Sequence, residues 1–115
     1  MNSNCIFCKI VAGEIPAEQL YADDQVIAFH DIDPQAPQHV LIIPRKHIPT
    51  LLDLEEDDTA LVGHIMQVAR QLAIQLGIAE DGFRVVNNCN EQGGQVVWHL
   101  HFHLLGGRKM TWPPG

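Results

Sequence analysis

Val97-Trp98-His99-Leu100-His101-Phe102-His103-Leu104-Leu105-Gly106-Gly107 sets three imidazoles in alternation with large apolar side chains. In an extended strand, successive side chains point to opposite faces. His99, His101 and His103 then share one face, and Leu100, Phe102 and Leu104 share the other. Residues of one face stand about 6.6 Å apart along the chain, close enough for three rings to converge on one phosphate-sized group or one metal. Helical spacing would spread the same rings around a cylinder. The pattern predicts a strand anchored by its apolar face, packed against a helix, with its histidine face presented for chemistry.

Upstream, Ile6, Phe7, Ile10 and Val11 have the spacing of a short amphipathic helix, stopped by Gly13 and Pro16. Leu20-Tyr21 and the run from Gln25 to Asp31 read as strands joined by a turn at Asp23-Asp24. Asp33-Pro34-Gln35-Ala36-Pro37 is a loop, because each proline lacks a backbone donor and restricts its predecessor. Val40 to Ile43 is a β-branched strand ended by Pro44. Asp53-Leu54-Glu55-Glu56 resembles a capping box for one long helix, in which Leu61, Ile65, Val68, Leu72 and Leu76 repeat at helical spacing up to Gly77. Phe83 to Asn87 is a further strand, and Gln92-Gly93-Gly94 turns into the histidine segment. Five strands, mostly joined by short connections, predict an α+β fold. Its elements are a five-stranded antiparallel sheet, one long helix on a face of it, and the short N-terminal helix.

The 115 residues fit one domain, 1–115, with a modest core, and 46% hydrophobic content argues against disorder. A formal charge of −7 disfavours nucleic acid and anionic membranes as partners. Positive charge is local, at Arg45-Lys46 and Arg108-Lys109, each near a histidine. No apolar run approaches the roughly 20 residues of a membrane span, and the N-terminus lacks a basic-then-apolar leader. Three cysteines, Cys5, Cys8 and Cys89, provide no disulfide framework and point to a reducing, cytoplasmic setting.

Two chemistries suit three histidines on a strand. A zinc enzyme uses three imidazoles as ligands and keeps a fourth position for water. A phosphotransfer enzyme uses one neutral imidazole as nucleophile and its neighbours as donors to phosphate oxygens. In that second scheme the middle histidine is best placed to attack. Gly93-Gly94 and Gly106-Gly107 bracket the segment and permit close backbone approach to an anion, although glycine pairs alone are weak signals.

His99-Leu100-His101-Phe102-His103-Leu104-Leu105 resembles the His-φ-His-φ-His-φ-φ signature of the histidine triad (HIT) superfamily. The similarity extends over nearly the whole chain, through Ile6-Phe7, Glu14-Ile15-Pro16, Ala28-Phe29-His30-Asp31-Ile32 and Pro34-Gln35-Ala36-Pro37. It continues in Ile43-Pro44-Arg45-Lys46-His47-Ile48, Gly93-Gly94-Gln95 and Trp112-Pro113-Pro114-Gly115. The C-terminal motif is similar to that of the histidine-triad nucleotide-binding (HINT) branch, nucleoside phosphoramidate hydrolases.

The resemblance implies that His101 is the nucleophile, that His103 and the Asn88 amide donate to phosphate oxygens, and that His99 and His47 support the nucleophile. It implies Asp31 as acceptor for the ribose hydroxyls, and Ile6, Phe7, Ile10, Phe29, His30 and Ile32 as a purine sandwich. Periodicity alone assigns several of those apolar residues to the core. Gln95, Val96 and Val97 join the nucleotide-binding set. The family often has serine where Val96 stands, a residue associated with the leaving group, so slower amine expulsion is expected here. A homodimer is implied, with one sheet continuing across the interface and Trp112 shaping the partner's pocket.

Cys5 and Cys8 form a Cys-x-x-Cys, a spacing that lets two thiolates grip one zinc but supplies half a site. Two buried reduced thiols on a short helix is the other reading. The resemblance adds His47 and His99 as the remaining ligands of a structural zinc. Cys89 reads as structural. The expected function is purine nucleoside phosphoramidate hydrolysis through a nucleotidyl-histidine, on AMP-amine or AMP-lysine type substrates. Dinucleoside polyphosphate hydrolysis, a nucleotide-binding regulatory role with residual catalysis, and a triad-ligated metallohydrolase are the alternatives.

Overall fold

The computed structural model describes residues 4–115. The domain expected over 1–115 therefore begins on three residues outside the described ones. Helix α1 spans Ile6–Val11 and α2 spans Thr59–Gln75. The strands are β1 Gln19–Ala22, β2 Val26–His30, β3 Gln38–Pro44, β4 Phe83–Val86 and β5 Phe102–Gly106. They form one antiparallel sheet in the order β1-β2-β3-β5-β4, so the histidine strand lies beside the central β3.

Two apolar layers sandwich the sheet. Val26, Ala28, Val40, Ile42, Phe102 and Leu104 face α2 and pack with its Ile65, Val68, Ala69 and Leu72. Leu100, just before β5, joins the same layer, so the apolar side of the histidine segment packs toward the long helix as expected. Ile27, Phe29, Leu41 and Ile43 face the other way, against Phe7, Cys8 and Ile10 of α1. Residues directly opposite in a ladder share a face. His103 pairs with Leu41, which places it on the α1 side.

Two details depart from the sequence reading. The long helix starts at Thr59, not at Asp53. Two 3-10 turns intervene, Leu51–Asp53 and Glu56–Asp58, because the local acids cap these turns instead. Asp53 accepts the Thr50 N–H at 3.0 Å, and Asp58 accepts the Glu55 N–H at 3.0 Å. The second departure is that β5 begins at Phe102, so His99 and His101 stand outside the ladder. Upstream of β5 the buried Gln95 side chain holds the backbone, accepting from Asn90 N–H and donating to the carbonyls of Pro49 and Val97. The Leu100 N–H reaches the Ile48 carbonyl. Gly77 ends α2 in the left-handed region at φ +76°, as its position predicts. At Gly93 a Cβ would come within 2.4 Å of the Cys89 carbonyl oxygen, so the turn into the histidines closes too tightly for a side chain.

Candidate active site

The alternation of the histidine segment survives although the ladder does not. His99 and His101 are buried and His103 is partly buried. The three rings do not converge on one point. His101 and His103 lie together, ring centroids 5.0 Å apart, whereas His99 turns toward the cysteines.

At His101 the Nδ1–H donates to the His99 carbonyl at 2.7 Å. That bond fixes the tautomer and leaves Nε2 with its lone pair. Among the described residues Nε2 has no hydrogen-bond partner. Burial pushes the His101 pKa below its ordinary value, against the opposing pull of the His99 carbonyl and of Asp31, so the ring is neutral at pH 7. The Phe7 ring meets it edge-on at 5.1 Å and walls one side.

His103 is governed by a residue that sequence reasoning missed. His39, buried on β3, accepts the Gln35 N–H at its Nδ1 (3.0 Å). Its own hydrogen must therefore sit on Nε2, which lies 2.9 Å from His103 Nδ1 and 3.4 Å from an Asp31 oxygen. His103 then accepts at Nδ1 and carries its hydrogen on Nε2. Among the described residues that buried Nε2 has no partner. An unsatisfied buried donor is costly, so it marks where an acceptor belongs. Burial, with the neighbouring His101 and His39, lowers the His103 pKa to about 4. The available signal for His39 was its register, one imidazole on the same face of β3 as Leu41 and Ile43.

Asn87 is the second omission. Its amide donates to the His101 carbonyl at 2.9 Å, while its buried Oδ1 has no hydrogen-bond partner among the described residues. Asn88, the expected phosphate donor, lies partly buried just beyond β4. Asp31 accepts the Asp33 N–H at 2.8 Å with one oxygen and keeps the other near His39. Gln95 is spent on the loop backbone, as described above. Phe7, Ile10 and Phe29 are buried, with the two phenyl rings edge to face at 5.7 Å. His30 is partly buried at the end of β2, and Ile6 and Ile32 are exposed. Val97 packs partly buried against the α1 layer, while Val96 and Trp112 stand exposed.

Beyond His101, Cys5, Cys8, His47 and His99 each aim one donor atom into a common space, all within 4.8 Å of one another. Cys8 Sγ lies 3.1 Å from His47 Nδ1, and Cys5 Sγ lies 3.3 Å from His99 Nδ1. The two Nδ1 atoms are 3.2 Å apart. His99 Nε2–H donates to the Pro44 carbonyl at 2.8 Å, which frees its Nδ1 lone pair for a cation. Two soft sulfurs and two imidazole nitrogens fit tetrahedral zinc. A second group, Asp31, His39 and His103, is also close-set, but the hydrogen on His39 Nε2 occupies the position a metal would need.

A buried imidazole with a free Nε2, a neighbouring donor and a Cys-His cluster define a histidine-triad site. Comparison with known proteins agrees: the HIT domain family matches residues 12–110. The chain belongs to the HIT family. Purine nucleoside phosphoramidase of Escherichia coli K12 is 50% identical over 96% of this chain and 92% of its own. An uncharacterized HIT-like protein of Synechococcus elongatus is 48% identical over the full length of both. Among solved structures, a HIT family hydrolase from Legionella pneumophila Philadelphia 1 superposes with a TM-score of 0.96 at 55% identity, covering 97% of this chain and 100% of that one.

Proposed function

We propose that this HIT-family hydrolase is a purine nucleoside phosphoramidase that works through a nucleotidyl-histidine at His101. The observation that carries the reading is the pairing of a neutral His101, its Nε2 lone pair open, with an unsatisfied His103 Nε2–H beside it. His101 Nε2 attacks phosphorus, the P–N bond breaks, and the amine nitrogen takes a proton from solvent as it departs. Water then cleaves the phospho-histidine bond and restores the ring. His103, and Asn88 through its amide, stabilise the charge that builds on the phosphoryl oxygens. His39 is a positioning residue that keeps the His103 hydrogen directed at the substrate.

Asp31 would hold the ribose hydroxyls, with the purine lying against Ile6, Ile10, Phe29, His30 and Ile32. The 50% identity to a purine nucleoside phosphoramidase supports the substrate class. Cys5, Cys8, His47 and His99 would hold a structural zinc that ties α1 to the sheet. We further infer one domain over 1–115, a cytoplasmic setting in keeping with three cysteines outside any disulfide, and a homodimer. In the dimer the exposed edge of β4 continues the sheet and Trp112 reaches the partner's pocket. Nucleic acid and membrane are not partners in this reading. No helix of the described residues is long and apolar enough to cross a membrane. Incubation with an AMP-amine phosphoramidate tests the reading: release of AMP and free amine is expected, and intact substrate after prolonged incubation with folded protein contradicts it.

A further inference from the structure

We propose that Cys5 and Cys8 are a reversible oxidation site. A hydroperoxide reaching Cys5 joins the two sulfurs in a disulfide and dismantles the Cys-His cluster behind His101. The oxidation itself is independent of the phosphoramidase reading; only its effect on hydrolysis rests on it.

The route in is a cleft of about 270 Å³ lined by Asn4, Cys5, Ile6, Val96, Val97 and Trp98. Ile6, Val96 and Trp98 are exposed, so the mouth is open, and Cys5 is the one thiol among its described lining residues. Both thiols are buried, Cys5 at 7% and Cys8 at 2% exposure, but Cys8 does not line this cleft. The two thiols therefore differ in access, one at the wall of the cleft and one behind it. Reactive thiols are distinguished by such access as well as by chemistry.

The backbone favours closure of the pair. Cys5 is the N-cap of α1, with extended dihedrals (φ −87°, ψ 113°), and its sulfur accepts the Cys8 N–H at 3.2 Å. The two sulfurs are already within 4.8 Å. A disulfide needs about 2.05 Å between sulfurs, a gap that rotation at Cys5 closes because its residue lies outside the helix. Cys89 has no other cysteine or histidine in a common cluster among the described residues.

The chemistry balances. The Cys5 thiolate attacks a peroxide oxygen, the O–O bond breaks, and hydroxide or an alkoxide leaves, giving a sulfenic acid. The Cys8 thiolate then attacks the Cys5 sulfur, the S–S bond forms, and hydroxide departs. The peroxide takes two electrons, one from each sulfur. Disulfide sulfurs are not thiolate ligands, so the four-donor set falls to His47 and His99 and zinc is released. The same residue, His99, holds the His101 Nδ1–H through its carbonyl, so loss of the cluster reaches the nucleophile through one side chain and its own backbone.

The experiment treats full-length, metal-loaded protein with hydrogen peroxide and reads intact mass, peptide map and zinc release to a chromophoric chelator. Expected are a Cys5–Cys8 disulfide (a loss of two hydrogens), release of bound zinc in step with it, and reversal by dithiothreitol. Sulfinic acid on either thiol without a disulfide, or oxidation of Cys89 while Cys5 and Cys8 stay reduced, overturns the proposal. In Cys8→Ser, dimedone should trap a sulfenic acid on Cys5; in Cys5→Ser, Cys8 should stay unlabelled. The reverse pattern overturns the assigned entry route. Phosphoramidate turnover should fall about tenfold or more as the disulfide forms, the range seen when the support of a site is lost. A disulfide that forms while turnover is unchanged breaks the link to His101 and leaves the oxidation site standing.

Discussion

His39 dictates the His103 tautomer and so keeps its hydrogen on Nε2, where the proposed mechanism has it meet a substrate oxygen. His39→Leu removes the donor to His103 Nδ1 and frees the ring to flip its proton. The expected outcome is a fall in kcat of roughly 10²-fold, with KM little changed, since a donor that acts on developing charge is lost or misdirected. A rise in KM at unchanged kcat would instead place His39 in ground-state binding. Val96 is exposed and carries no hydroxyl, where the proposed reading expects a contact to the leaving group. Val96→Ser is expected to raise kcat by about tenfold, equal to about 1.4 kcal/mol of barrier. No gain would count against a leaving-group contact there. His103 also sets an acid limit. Its folded pKa, about 4, lies below the ordinary histidine value near 6.5, so the unfolded chain binds more protons between those values. Its share of stability is full above about pH 6.5 and is lost as pH falls toward 4. Urea unfolding followed by Trp98 and Trp112 fluorescence should show a lower midpoint at pH 4.5 than at pH 7.5, with a smaller drop in His103→Gln. Equal drops in both proteins would contradict the assignment.

At the scale of elements, what the sequence made legible was periodicity. The repeat Leu61, Ile65, Val68, Leu72 identified α2, and the alternation His99 to Leu104 identified the anchored segment. Both place their apolar sides in one layer. What it hid was competition for backbone groups. Asp53 looks like the cap of the long helix but closes a 3-10 turn, and Gln95 looks like a ligand contact but spends its amide on three backbone groups. His39 and Asn87 were hidden because their importance comes from the neighbouring strand, which register alone reveals. Asp23 shows the same dependence at the β1–β2 turn. It accepts from Tyr21 Oη, His64 Nε2 and the backbone N–H groups of Gln25 and Val26, tying the hairpin to α2. Asp23→Ala should cost about 1–3 kcal/mol by chemical denaturation, while Asp24→Ala, exposed, should stay within about 0.5 kcal/mol of wild type. Equal effects would show that the Asp23 bonds add nothing to stability.

For the whole molecule, the sheet divides the protein into a structural side and a reactive side. The α2 layer carries the larger core, and the α1 side carries His39, His47, His99, His101 and His103, with Cys5, Cys8 and Asp31. A cavity of about 560 Å³ lies elsewhere, lined by Gly82, Arg84, Gly107 and Arg108 among others, and it holds none of the histidines. Chemistry, not volume, marks the site. Protein purified without chelator should contain one zinc per chain, and Cys8→Ala should lose it; metal analysis well below that ratio would reject the zinc reading. The central claim is that His101 carries the nucleotide covalently between amine release and hydrolysis. Rapid-quench mass spectrometry with an AMP-amine phosphoramidate tests it most directly. A transient adenylyl adduct on His101 is expected, forming before AMP appears and absent in His101→Asn. Full hydrolysis by His101→Asn, or by wild-type protein with no adduct at any time point, would contradict it.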